Sequence, residues 1–422
     1  MASFPAGRWS LLIVGLVIVI AGVAAGVAGP APTTSTQTED ARSLQTTLSQ
    51  INGTVNYLRV PDEDVRTTGV HRASVDVTAS TRMSGDRLEL QLALETFRTR
   101  FRNANTEAER TAAIREIVHS LDNHTAALNE QRERALDRYN DGEITANEFI
   151  AVLTRVDATA ERIETTVGSV IDTTETTLDY SIPPELDTKL RNYEAQMFPN
   201  RGLIRRVEFR PAITGSGPSR QTYVETGDEA VVLATIVNDR YVREAFSSDA
   251  LADEGDPQLR TSQDAIDRAA VLYPWAMSEE NQKRSPRPDS FRNASAFSVD
   301  VSHLKGELTL YLDAVSADVF KERQTRDITV ATTTATFTNS TGEFALTVNA
   351  THDTGPLGIS LIRRTTNEGV NASVAVDERT VGTTGSDGHL WTLDTRGTTS
   401  IEVTTVDGET FTVQIPKEAL PD

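Results

Sequence analysis

The sequence predicts a multidomain α+β chain: an N-terminal transmembrane helix, an α-helical hairpin or bundle, a mixed α/β domain and a C-terminal β-sandwich. Three observations predict it. Residues 11–29, "LLIVGLVIVIAGVAAGVAG", form an uncharged apolar run, about long enough to cross a bilayer as a helix. Between residues 86 and 198 apolar side chains recur at gaps of three and four, the helical period. Beyond Pro199, short alternating runs are separated by Gly, Asp and Asn turns, the pattern of strands. The divisions that follow are 1–29 (signal or anchor), 30–83 (spacer and N-terminal segment), 84–198 (helices), 199–325 (α+β domain) and 326–422 (sandwich).

In the first division Arg8 precedes the apolar run, and Glu39 and Asp40 follow it. Positive-inside bias then directs the body of the chain outward. Gly26-Val27-Ala28 also suits signal peptidase, so a retained anchor and a cleaved signal are both compatible with the sequence. The stretch "PAPTTSTQT" after it reads as a spacer, polar and proline-bearing. A short helix over 41–58 and a strand over 73–79 complete this part.

The helical part opens with Leu88, Leu92, Leu94, Phe97 and Phe101. Thr106 and Glu109 form a capping-box pair that starts the next helix. Ile114, Ile117, Leu121, His124, Leu128, Gln131 and Ala135 make one stripe, and Phe149, Leu153, Val156, Ala160, Ile163, Val167, Val170 and Thr174 make a second. Two coiled-coil-like heptad stripes joined by a tight turn predict an antiparallel hairpin. Each arm is roughly 50 Å long at 1.5 Å per residue. Polar residues in the first stripe call for a third and a fourth helix to complete the core.

The turn itself, residues 137–148 ("DRYNDGEITANE"), also reads as an EF-hand loop, with Asp137, Asp141, Thr145 and Glu148 as ligands around Gly142. Tyr139 then occupies a position that needs a short oxygen side chain. Helix capping uses the same letters without that misfit. Thr145 is the N-cap, Glu148 closes a capping box, Ile144 staples to Phe149, and Gly142 ends the preceding helix. Capping is the preferred reading.

Runs over 203–209, 221–225, 231–237 and 241–245 have strand composition, Ser262 caps an amphipathic helix, and "SEENQKRSPRPDS" reads as a charged loop before strands over 296–301 and 307–312. The helix "SQDAIDRAAVLYP" and the hairpin "GELTLYLDAVSADVFKERQ" resemble PepSY domains. Tyr311, Asp313 and Val319 stand in matching places, and Ala317-Asp318 replaces the family's usual Thr-Gly. The likeness covers roughly residues 222–324. It implies a non-catalytic module that binds or restrains a protease.

Seven alternating runs occupy the last hundred residues: 332–338, 343–349, 358–362, 372–377, 390–393, 400–406 and 410–415. Val376, Asp377, Val381, Gly382, Asp387 and Gly388 resemble the turns of carboxypeptidase-regulatory-like (transthyretin-like) sandwiches. That family is structural or adhesive and carries over no catalytic residue. The whole layout is similar to cell-surface proteins of halophilic archaea.

Composition narrows the function. With 61 Asp+Glu against 41 Lys+Arg, and a net charge of −20, the chain lacks the clustered cations that nucleic acid requires. Only Lys189, Lys283, Lys305, Lys321 and Lys417 are lysines. This scarcity favours a halophile's surface over that of a merely acidic secreted protein. Without cysteine, disulfides are excluded. Six sequons, at Asn52, Asn123, Asn293, Asn339, Asn349 and Asn371, are candidate glycosylation sites and agree with export.

No catalytic, cofactor-binding or metal-ligating residue is assigned. His71, His119, His124, His303, His352 and His389 show no zinc spacing, and "GSGPS" at 215–219 is not a nucleophile elbow. Tyr273, Trp275 and Phe291 are read as closing the middle core. The expectation is a non-enzymatic exported surface protein, a spacer, adhesion or binding scaffold. Its partners would be the membrane, through the N-terminal helix, and an extracellular protein. A regulator of an extracellular protease is the alternative, and an extracellular hydrolase has the least support.

Overall fold

The computed structural model describes residues 49–51, 57–252, 255–290, 295–416 and 420. The apolar run at 11–29, the spacer at 30–38 and the sequons at Asn52 and Asn293 lie outside them. The predicted transmembrane helix, and the membrane as a partner through it, are corrected. Among the described residues no helix is long and apolar enough to cross a bilayer. The long helices are amphipathic and carry Arg and Glu along their outer faces, whereas a span needs about 20 apolar residues in succession.

In place of the expected helix over 41–58, β1 (Ser49–Ile51) pairs with β2 (Tyr57–Arg59). The strand expected at 73–79 lies earlier, as β3 (Thr67–Arg72), because Asp76 caps α1 (Val77–Asn103) by accepting from the Ala79 amide. Leu88 and Leu92, expected in the core, are exposed; Phe97 and Phe101 are buried as expected, and Leu90 takes the place of the two leucines. α2 (Glu107–Asn140) and α3 (Ala146–Glu175) form the predicted hairpin. All eight residues of the second stripe are buried. The first stripe is rotated slightly, burying Thr125 and Arg132 rather than His124 and Gln131. Arg132 is satisfied there by Asn200, which accepts its Nη1 at 2.8 Å. With α1 and α4 (Pro184–Met197) the hairpin closes a four-helix core, in which each buried Leu, Ile or Val contributes about 1.5–3 kcal/mol.

The α2–α3 turn is built as a cap. Glu148 Oε2 accepts from the Thr145 amide and hydroxyl, both at 2.8 Å, and Thr145 Oγ1 accepts from the Glu148 amide at 3.3 Å. Gly142 has φ +72°, and Tyr139 stacks on Phe149 at 4.6 Å. Replacing Thr145 with alanine is expected to cost about 1 kcal/mol. Millimolar calcium is expected to shift neither protein. Urea melts with and without calcium check both.

Residues 203–209, expected as a strand, continue as a π-helical stretch (Arg205–Phe209) into α5 (Arg210–Thr214). Ile204, Phe209, Ala212 and Ile213 fall on one buried face, so tertiary packing overrides the β-branched composition. β4 (Gln221–Thr226), β5 (Ala230–Val237) and β6 (Arg240–Ser247) form a meander. α6 (Ser262–Leu272), capped by Thr261 rather than Ser262, and α7 (Pro274–Met277) follow. The charged loop at 278–290 contains a strand, β7 (Gln282–Ser290), which precedes β8 (Ala296–His303), β9 (Gly306–Asp313) and β10 (Val319–Asp327). The β9–β10 turn places Ala317 at φ +59°, the left-handed conformation that glycine would adopt without strain.

These strands make one antiparallel sheet, in the order β3-β4-β5-β6-β10-β9-β8-β7. The helical bundle is therefore inserted between two neighbouring strands, β3 and β4. One sheet face, through Val224, Val231, Leu233 and Val242, packs on the α2–α3 end and α5. The other, through Val232, Ala245, Phe297, Leu308 and Leu310, packs on α6.

The C-terminal part is a β-sandwich. One sheet contains β11 (Ala335–Ser340), β12 (Phe344–Ala350), β13 (Pro356–Arg363) and β14 (Glu368–Gly369), in that order. The other has the order β16-β15-β18-β19, from β15 (Ala372–Val376), β16 (Arg379–Thr383), β18 (Thr399–Thr405) and β19 (Thr410–Ile415). β17 (His389–Leu393) pairs with β13 and completes the first sheet. Their inward residues share one core. Tyr223, Ala234 and Tyr241 of the large sheet pack against Ile328 and Leu393, which seats the sandwich on the same face as α6.

Candidate functional site

A cleft of about 410 Å³ lies where the sandwich meets the large sheet. Two edge strands border it: β3, the last strand of the large sheet, and β16, the last of its own. Each sends an arginine to the other's backbone. Arg72 Nη2 donates to the Val381 carbonyl at 3.1 Å, and Arg379 Nη1 donates to the Val70 carbonyl at 3.2 Å. Val381 is available because β16 bulges against β15 there. Gln221 Nε2 donates to the same carbonyl at 3.2 Å, and its Oε1 accepts from Thr392. His71 also lines the cleft, its Nε2 3.5 Å from the Tyr139 hydroxyl of α2, and its pKa is held down by burial and then by Arg379. The cleft's one lining carboxylate, Asp377, is engaged through both oxygens, by the Ser400 amide at 2.9 Å and the Thr395 hydroxyl at 2.7 Å.

At the cleft's end Arg396 clamps the sandwich down. Its Nε and Nη2 grip Glu225 of β4 at 2.7 and 3.0 Å, Nη2 also donates to the Val60 carbonyl at 2.7 Å, and Nη1 pairs with Asp62. Glu225 in turn accepts from the Tyr223 hydroxyl at 2.5 Å. Behind this clamp lies a buried polar network. Glu322 accepts from the Leu58 amide (2.9 Å), the Tyr273 hydroxyl (2.7 Å), Gln324 (2.9 Å) and Arg243 (3.3 Å). Arg326 Nη1 reaches His352 Nε2 of the sandwich at 3.2 Å, while His352 Nδ1 donates to the Asp353 carbonyl at 2.8 Å. Burial, reinforced by Arg326, pushes His352 down to about 3, so its imidazole is neutral and accepts from the guanidinium. Burial raises Glu322, and Arg243 opposes that rise.

Asp394, wholly buried beside the clamp, follows β17 and accepts from the Thr395 amide at 2.9 Å. Burial pushes its carboxyl up to about 7, against the opposing pull of the Thr399 hydroxyl. The folded pKa lies above the unfolded one. Its stabilising contribution is therefore complete below about pH 3.8 and is lost as the pH rises to about 7. Asp394→Asn is expected to match the parent near pH 4 and to exceed it above pH 7 by on the order of 4 kcal/mol, as read by urea unfolding across that range.

The cleft provides hydrogen-bond donors and the positive charge of Arg72 and Arg379, and the one carboxylate lining it is already hydrogen-bonded through both oxygens. Among the described residues no cluster of three or more His, Asp or Glu could hold a metal ion. His119 and Asn123 sit one turn apart on α2 at 3.4 Å, and His389 stacks edge-on against Trp391. Tyr273 is buried and Trp275 half-buried against His303, as core closure requires; Phe291 lies outside the described residues. Of the sequons, Asn123, Asn339 and Asn371 are exposed, Asn339 also donating to the Thr412 carbonyl across the sandwich, and Asn349 accepts from Thr336. Sequence reasoning missed His71, Arg72, Arg379 and Arg396. Their partners are far away in the chain, 309 residues for Arg72 and 171 for Arg396, and no local spacing marks such pairs.

The comparisons fit this architecture. Residues 7–217 match the model of a domain of unknown function, DUF7096. The chain belongs to that family. The DUF7096 match takes in β3 and the helical bundle, and residues 222–332 match a second family of unknown function, DUF7094. The large sheet is thus assembled from both, since β3 comes from the first and its other strands from the second. Residues 335–412 match the archaeal fibronectin-III type-like domain. The sandwich that resembles carboxypeptidase-regulatory-like domains in sequence is therefore fibronectin-III-like. Neither the curated proteins nor the solved structures give a match.

Proposed function

We propose that this DUF7096 protein is a non-enzymatic binding scaffold displayed on the outside of an archaeal cell that lives in high salt. The observation that carries the reading is the fibronectin-III-like sandwich clamped by Arg396 onto a second, larger sheet. A module joined this way presents a fixed surface, whereas a flexible tether would let it tumble. The surplus of 20 negative charges and the five lysines support a surface hydrated under strong screening. Antibodies against the sandwich test the display. Staining of intact cells is expected; staining only after lysis would overturn the reading. Mass spectrometry of the surface protein is expected to find glycan on the exposed Asn123 or Asn371.

One observation favours a second role. α6 packs over the β8–β10 strands, which supports the PepSY-like reading and restraint of an extracellular protease. Slower substrate cleavage by a co-expressed secreted protease on adding the full chain is the expected result, and unchanged cleavage removes this role.

A further inference from the structure

The large sheet has two edges, and they are treated differently. β7 is shielded by its own sequence, with Pro286 and Pro288 interrupting its donors and Lys283, Arg284 and Arg287 along it, as expected of an edge protected against pairing. β3 carries no proline, and no strand among the described residues pairs with its outer side. In an antiparallel ladder, successive residues turn their N–H and C=O groups alternately towards and away from the neighbour. The Val70 carbonyl points away from β4, since Arg379 takes it from the sandwich side. Thr68 and Arg72 share its parity and present their backbone groups on the same open side. The row ends at Ser74, whose amide is taken by Asn147 of α3, while the Ala73 carbonyl, of opposite parity, is taken by Ser219 just before β4.

We propose that this edge is a docking site for an extended, acidic peptide segment of a partner protein, which adds to β3 as a further strand along the cleft. Main-chain bonds to Thr68, Val70 and Arg72 would supply the affinity, as in other strand-addition complexes. Charge complementarity selects the occupant. Arg72 and Arg379 border the cleft, and the oxygens of its one lining carboxylate, Asp377, are already engaged. In a chain of net charge −20 this is a cationic spot. Each arginine is held by a backbone carbonyl, a contact that a peptide N–H and carboxylate can replace with a charge-assisted pair. At hydrogen-bond range such pairs lie within even the roughly 3 Å screening length of molar salt.

The proposal rests on the scaffold reading, and its test is independent of it. A fluorescent, blocked heptapeptide of alternating valine and glutamate is titrated into the full chain by anisotropy. Saturable binding is expected, with the lysine analogue weaker by about tenfold or more, the equivalent of one charge-assisted contact. Methylating alternate peptide amides is decisive: one register of methyl groups should abolish binding and the other leave it intact. The R72Q/R379Q chain should bind about tenfold more weakly. If that variant melts early, the methylation series still decides. Absence of binding, equal binding of the lysine analogue, or equal loss in both methylation registers overturns the proposal, as does closure of the edge by a second copy in sedimentation. Those failures leave surface display untouched, whereas finding the chain inside the cell sinks the scaffold reading whatever the peptide does.

Discussion

Replacing Glu322 with alanine is expected to destabilise the protein by about 3–5 kcal/mol, the range for removing one partner from a buried pair. The side chain is fully buried and accepts from four groups, on three strands and one helix junction: Leu58 on β2, Arg243 on β6, Gln324 on β10 and Tyr273 between α6 and α7. Its loss leaves the Arg243 guanidinium, itself 1% exposed, with its charge unpaired beneath the Tyr57 ring. Glu322→Gln keeps the shape and two acceptor contacts but removes the charge, so an intermediate loss is expected. The double variant R243M/E322L is expected to lose less than Glu322→Ala alone, because an apolar pair strands no charge. Urea unfolding of the three variants in high salt decides this. A double variant as unstable as Glu322→Ala would mean that the site's shape matters more than its charges.

Replacing Arg396 with alanine is expected to cost about 2–5 kcal/mol and to uncouple the sandwich. The residue joins Glu225, Asp62 and the Val60 carbonyl, and the Glu225 side chain is only 2% exposed. Calorimetry of the parent should show one transition covering the sheet and the sandwich. The variant should show two, the sandwich melting separately. Arg396→Lys should fall between them, since an ammonium cannot grip both Glu225 oxygens in parallel. A single unchanged transition would place the coupling in the apolar contacts around Tyr241 and Leu393 instead.

The repeating pattern with the fewest polar interruptions reads correctly. The stripe from Phe149 to Thr174 is buried in full, and the capping box at Thr145 forms as expected. The seven sandwich runs each became a strand, although the short β14 and β16 were not foreseen. Short or irregular segments fared worse. Residues 203–209 look like a strand because Leu, Ile, Val and Phe cluster there, yet their burial against α3 sets a helical spacing. The proline-bearing segment at 282–290 looks like a loop, yet an edge strand tolerates prolines whose missing donors face solvent. The first stripe was misphased by one residue at Thr125 and Arg132 because Asn200, which solvates Arg132, comes from beyond α4.

By itself the sequence determined the helical hairpin and its cap, the meander and the sandwich strands, and the acidic, lysine-poor surface. Each depends on residues within a turn or a strand of one another, where periodicity and side-chain chemistry act locally. Tertiary structure alone decided that β3 leaves the N-terminal segment to edge the large sheet, and that Arg396 locks the sandwich to β4. It also decided that Arg72 and Arg379 reach across one cleft. These pairings join positions up to 309 residues apart, and a guanidinium's choice of carbonyl or carboxylate is made only once packing has excluded water and fixed the geometry around it.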